Sequence, residues 1–318
     1  MSDRPKINGD RVLDRVRARD WNNVRDSWFN FIPDIVPSGS APAEATADII
    51  DTQLLHDELR EKNSCRIVDV EQAIGVRQSI LAEAIFLLHK AAHVIGTAER
   101  MAVDGHPTWA MMNAYQGSLF AAKGVIYLLG VGLPEFGNET LIVDVMPELS
   151  ESQKRLVKRN IEPAKESEFF RTGRRFDHDS TWKLFQRLIR VSKVNLWSED
   201  HIEELKHLDT GSISDKRNWL QYRAGAWLYT DLHNLMGVPS HGNLSISSSN
   251  CPELDPENPD FYMIFSLVVM HLGYLLFEDL KGETNKLTDE WNLYIENLNE
   301  HRHPLFHRAF NVGEGILQ

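Results

Sequence analysis

Apolar positions recur at three- and four-residue steps along most of this chain, the period of a helix with one buried stripe. The clearest run is 70–103, where Ile74, Ile80, Leu81, Ile85, Leu88, Ala92 and Ile95 keep helical spacing. "DGHP" closes it, and Pro107 suits the first turn of a second helix, which the pattern carries to about 129. Upstream, a charged helix is expected over 10–31. "PDIVPSGSAP" (33–42) then breaks the chain, because Pro, Gly and Ser favour turns, and helical pattern resumes over 44–61. "GVGLPEFGNET" reads as a loop, 151–193 as shorter helices, and 215–236 as an aromatic-rich helix. The polar stretch 237–260 is a long loop with room for a short strand at "LSIS". Helices over 261–280 and 287–301 precede "HRHPLFHRAF". No internal repeat and no useful alternating strand pattern is present. The expectation is an all-α fold, a helical bundle or irregular multi-helix array. It comprises an N-terminal helix and linker over 1–42 and a single helical domain over 43–318.

Two segments depart from the one-sided pattern. "FYMIFSLVVMHLGYLLF" (261–277) is apolar all round, with His271 and Gly273 inside it and "EDLKGE" directly after. Its length is at the lower bound for a membrane span, and the reading is a buried core helix, with no membrane association. "AYQGSLFAAKGVIYLLG" (114–130) carries Ala114, Gly117, Ser118, Ala121 and Gly124 at three- and four-residue steps. A glycine inside a helix costs about 1 kcal/mol relative to alanine. Close approach of another helix over the small side chains is the expected offset.

Composition narrows the function classes. The chain has 318 residues, 42% hydrophobic and 25% charged, an ordinary soluble balance. Its net charge is -12, which argues against a generic polyanion-coating protein. Locally the sign reverses. Between Lys154 and Lys193, twelve Lys or Arg face five acids, so Arg171, Arg174, Arg175 and Arg187 are candidate nucleic-acid contacts. Two unpaired cysteines, Cys65 and Cys251, give neither a thiolate metal site nor a disulfide framework. The charged N-terminus does not read as a signal peptide, which makes the cytoplasm the expected compartment. His89 and His93 share a helix face, and Glu204 and His207 form one ExxH, but neither pair has a third ligand fixed by spacing. No phosphate loop, dinucleotide turn, serine elbow or kinase signature occurs. No metal and no cofactor is expected.

"SDKRNWLQYRAGAW" (214–227) places Arg217 and Asn218 on a helix, with Tyr222 a little over one turn on. At about 100° per residue, Asn218, Tyr222, Tyr229 and His233 share one stripe and Arg217 stands on its shoulder. Cutting RNA without metal needs a base for the 2′-hydroxyl and a cation for the charge that develops on phosphate. Arg217 suits the second role. Tyr222 is a poor base, and His233 lies too far along the axis to share a phosphate with Arg217. The same stripe also suits a buried aromatic seam.

The small-residue helix together with "KRNWLQY" resembles the HEPN superfamily, over roughly 70–235. That resemblance implies a helical bundle that dimerises. It also implies a relation to metal-independent ribonucleases, toxins, defence proteins and inactive relatives, whose sites pair Arg with a His that follows after four to six intervening residues. Near the C-terminus, Arg302, His303 and His307 match that order in letters, although Pro304 interrupts a helix there. Two functions follow as expectations. One is an RNA-binding protein or metal-independent ribonuclease of a bacterial defence or stress system, with the His drawn from "RHPLFH". The other is a non-catalytic helical dimerisation protein or subunit of a larger complex. Its self-association would run through the small-residue helix.

Overall fold

In the computed structural model the described residues are 13, 16, 18–29, 59, 64–67, 70–146, 167–209, 211, 213–215, 217–218 and 261–282. Their helices in chain order are α1 (Trp21–Phe29), α2 (Val70–Val103), α3 (Pro107–Leu128), α4 (His178–Val191), α5 (Glu199–His207) and α6 (Phe261–Gly282). The turn between α2 and α3 uses Gly105 at φ +82°, a left-handed conformation that glycine adopts at no steric cost. The two helices then run antiparallel. A Cβ at Gly117 would lie 2.5 Å from Ile95 Cγ1, and one at Gly124 would lie 2.8 Å from Leu88 Cγ. From α6, Gly273 approaches the same leucine, where a Cβ would lie 2.6 Å from Leu88 Cδ2. Leu88 therefore sits in a socket that glycines on two helices open. The close approach expected of the small-residue helix is made inside the chain, where α3 packs against α2, α4 and α6.

The fold is mostly helical but not purely so, which corrects the all-α expectation. The strands are β1 (Ser64–Ile67), β2 (Val131–Gly132), β3 (Glu135–Phe136), β4 (Glu139–Asp144) and β5 (Ser167–Arg171). They form a small antiparallel sheet in the order β1-β5-β4-β2, with β3 folded onto β4. Ser64 pairs with Phe170, Ile142 with Phe170, and Val131 with Asp144. The stretch read as a loop is thus a hairpin, turning at Gly137 (φ +58°) and Asn138. The span read as shorter helices contains β5 as well as α4. β4 is buried along its whole length, so both of its faces are covered.

The expected helix over 10–31 is also corrected. Asp20 is extended and bridges in parallel to Lys193, and its carboxylate accepts the Asn22 N–H, so the described helix starts at Trp21. Buried indoles anchor helices to their neighbours. Trp28 Nε1 donates to the Leu128 carbonyl at 3.0 Å, Trp21 Nε1 to Asp279 at 2.7 Å, and Trp197 Nε1 to the Leu272 carbonyl at 3.2 Å. Two cations are buried with their partners. Arg19 meets Asp144 at 2.6 Å and donates to the Leu129 carbonyl. Arg77 donates to the carbonyls of Val145 and Ser27. Burial lowers its pKa to about 10, against the pull of Asp144, so it stays charged at neutral pH. By length and composition α6 and most of α2 could each cross a membrane; in this fold most of α6 is buried against α2 and α3.

Candidate functional site

Three separate segments bring polar groups to one point beside α3. Asp177 caps α4, accepting from the Ser180 N–H at 2.8 Å and the Ser180 hydroxyl at 2.6 Å. Capping fixes the first turn of α4, so His178 and Trp182, four residues apart, share a face directed at Tyr115 of α3. The Tyr115 hydroxyl lies 3.0 Å from His178 Nδ1 and 3.0 Å from Ser214 Oγ, and it accepts from Trp182 Nε1 at 3.3 Å. The helical residues 213–215 and 217–218 supply the third segment, with Ser214 and Arg217 on one face three residues apart. Tyr262, in the first turn of α6, donates to the Ile213 carbonyl at 3.1 Å and meets the Tyr115 ring edge-on. Arg217 Cζ stands 5.8 Å from the centre of the Tyr115 ring, within cation–π reach, and its guanidinium donates to the Asn218 side-chain oxygen at 2.9 Å.

Electrostatics keep this cluster uncharged except at Arg217. Burial lowers the His178 pKa below its ordinary value; the charges of Arg217 and Lys123 push the same way, and Asp177 opposes them. Burial raises the Tyr115 pKa, against its hydrogen bonds with Ser214 and Trp182 and the charge of Arg217. At neutral pH the imidazole is therefore neutral and the phenol protonated. Tyr115 is fully buried, Ser214 nearly so, and His178 half-buried. A neutral, half-buried imidazole beside a guanidinium can take a proton from a group whose charge the guanidinium stabilises.

The sequence candidates are spread unevenly around this point. Arg217 belongs to the cluster and Asn218 is exposed beside it, whereas Tyr222, Arg302, His303 and His307 lie outside the described residues. Among the basic candidates, Arg174 is exposed and reaches Ser180 Oγ at 3.1 Å, which puts it next to the start of α4. Arg175, also exposed, reaches the hairpin at the Gly137 carbonyl and Glu135. Arg171 is tied to Glu139, through Nε at 2.7 Å, and to the Leu59 carbonyl. Arg187 donates to the Val16 carbonyl at 3.2 Å, two and a half turns along α4 from His178. Arg174 thus stands beside the cluster and Arg175 is turned to the hairpin, while Arg171 and Arg187 hold parts of the fold together.

Tyr115, His178 and Ser214 were not singled out from sequence. The available signal was local: Asp177 followed three residues later by Ser180 marks a helix start and so fixes where His178 points. Among the described residues no group of three or more His, Cys, Asp or Glu gathers closely enough to hold a metal ion. His89 and His93 share α2, and burial followed by the charge of His93 lowers the His89 pKa. Fold and site define a mostly helical protein with a small antiparallel sheet and a buried Tyr–His–Ser–Trp cluster beside an arginine. Comparison with family models, with curated proteins and with solved structures yields no match to this chain.

Proposed function

We propose that this protein binds RNA and cleaves it without metal, as its HEPN-like resemblance implies, with His178 as general base and Arg217 as the phosphate-facing cation. One observation carries the reading: an imidazole kept neutral and a guanidinium meet on the same tyrosine, His178 at its hydroxyl and Arg217 at its ring. In this reaction His178 takes the proton of a ribose 2′-hydroxyl. The 2′-oxygen bonds to phosphorus, the bond from phosphorus to the 5′-oxygen breaks, and that oxygen leaves with a proton from water. Arg217 faces the non-bridging oxygens as their charge grows. Arg174, exposed at the start of α4, and Arg175, exposed against the hairpin, guide the phosphate backbone. A cytoplasmic defence or stress setting, as a homo-oligomer or in a complex, accompanies this reading.

A second reading, a non-catalytic helical subunit, is favoured by the saturation of the Tyr115 hydroxyl, which has three partners inside the fold. The two separate in one assay, cleavage of a fluorescent single-stranded RNA in excess EDTA. The ribonuclease reading expects His178→Ala and Arg217→Ala each to lose about 100-fold or more in rate while remaining folded. It also expects Arg174→Glu with Arg175→Glu to weaken RNA binding in a salt-dependent manner. A wild type that neither cuts nor retains RNA leaves the subunit reading standing.

A further inference from the structure

The hydrogen-bond capacity of the Tyr115 oxygen assigns a role to Ser214. A phenol oxygen has one proton to give and two lone pairs. Trp182 Nε1–H can only donate, so it takes one lone pair. One proton and one lone pair are left for two neighbours at equal distance, His178 Nδ1 and Ser214 Oγ, both 3.0 Å away. Only two arrangements satisfy all three contacts. In the first, Tyr115 donates to His178 Nδ1 and Ser214 donates to Tyr115, which puts the imidazole proton on Nε2. In the second, Tyr115 donates to Ser214 Oγ and His178 Nδ1–H donates to Tyr115, which leaves Nε2 bare. An imidazolium carries protons on both nitrogens, so only the second survives when His178 accepts a proton.

We propose that Ser214 and Tyr115 are positioning residues that set the His178 tautomer: Ser214 Oγ accepts the Tyr115 proton, the Tyr115 oxygen accepts from His178 Nδ1–H, and Nε2 is left as the proton-accepting nitrogen. The assignment rests on His178 acting as the base and specifies how that base is prepared. Proton uptake then requires no hydroxyl to turn. The groups that bear on the imidazole are Asp177 on its own helix start, with Arg174 just before it, Tyr115 and Lys123 from α3, Arg217 from the segment beside Ser214, and Tyr262 of α6 behind Tyr115. Of these, it is the Tyr115 hydroxyl that stands within hydrogen-bond distance of Nδ1. It is therefore the contact that distinguishes the two ring nitrogens.

The test is nitrogen NMR of protein labelled with ¹⁵N-histidine, the His178 signals being assigned by their loss in His178→Gln. The wild type at a pH above its titration should show a protonated Nδ1 and a bare Nε2. Ser214→Ala should move the proton to Nε2 and lower the midpoint of His178 titration by about one pH unit, the size of one lost hydrogen bond. Ser214→Thr, which keeps the hydroxyl, should restore both. A wild type with its proton on Nε2 overturns the assignment, as does a Ser214→Ala protein with unchanged tautomer and midpoint. The wild-type measurement needs no variant to fold. Because the readout does not involve RNA, a protein with the expected tautomer and no cleavage would sink the ribonuclease reading alone.

Discussion

Gly117→Leu separates a helix that packs inside its own chain from one that serves self-association. A Cβ at Gly117 would lie 2.5 Å from Ile95 Cγ1 and 3.3 Å from both Ile95 Cδ1 and the Ile95 backbone nitrogen. The side-chain atoms can turn aside, but the nitrogen belongs to α2 and moves only with it. Even alanine must displace Ile95 Cγ1 by close to 1 Å, and the backbone nitrogen at 3.3 Å asks the two helices themselves to part by a few tenths of an ångström. Overpacking of this kind costs about 1–3 kcal/mol, against about 1 kcal/mol gained by removing a helical glycine. Gly117→Ala should therefore lose about 1 kcal/mol, and Gly117→Leu, with three more carbons in the same space, about 3 kcal/mol or more. Ile95→Ala alone should lose about 2–5 kcal/mol, because Ile95 is buried. Combined with Gly117→Ala it should lose less than the sum, by about 1 kcal/mol or more, since the alanine removes the atoms in collision. Urea unfolding with a common slope measures all four corners of this cycle. A Gly117→Leu protein that unfolds at the wild-type midpoint but has lost self-association by light scattering would refute the packing argument.

Three other perturbations probe the fold and site. Arg19→Ala should cost about 3–5 kcal/mol by urea unfolding, because it strands the buried Asp144 carboxylate; a loss under about 1 kcal/mol would show that water replaces the guanidinium. Glu139→Ala should cost about 2 kcal/mol, since this buried carboxylate accepts from both the Arg171 guanidinium and the Gly173 N–H. The third concerns acid stability. His178 binds its proton at lower pH in the folded protein than in the unfolded chain, where the ordinary value is 6.5. Its contribution is complete above that value and is lost as pH falls through the folded one. His178→Gln should flatten this limb of the profile, although His89, lowered in the same direction, keeps part of it.

What could be read from sequence follows how local each signal is. The helix expected over 70–103 is Val70–Val103, and the one from Pro107 to about 129 ends at Leu128. Both carry a sustained period and are punctuated by "DGHP", so no distant contact was needed to place them. The sheet has no such signal. β4 is covered on both faces, so "ETLIVD" does not alternate, and β1 meets β5 across about a hundred residues. The hairpin did leave a mark, since Gly-Asn between two short arms is a tight-turn pair, but with two-residue arms the loop features dominate. The candidate site divides in the same way. Arg217 was found because a cation beside an amide on an aromatic helix is a local pattern. His178 reaches it from a different helix through Tyr115, and no spacing along the chain encodes that meeting.

Fold and site depend on the same helix, and this makes the coupling between them measurable. Tyr115 and Gly117 are two residues apart on α3, about 200° around its axis, so they point to nearly opposite sides. The glycine lets α2 close against one side, and the tyrosine meets α4, Ser214 and Arg217 on the other. Displacing α3 away from Ile95 therefore drives the phenol towards His178 and Ser214. A shift of several tenths of an ångström would shorten both 3.0 Å hydrogen bonds and so change the strength of the contact at Nδ1. Gly117→Ala should consequently alter the titration midpoint of His178, although Gly117 does not touch the imidazole. Gly132→Ala is the control. Its Cβ would meet Ile80 at 2.7 Å, a comparable collision against the same α2, but it lies on β2. Both variants should lose stability, and only the first should move the His178 midpoint. If both move it equally, general loosening of the helical core is the cause and α3 has no special part in setting the site.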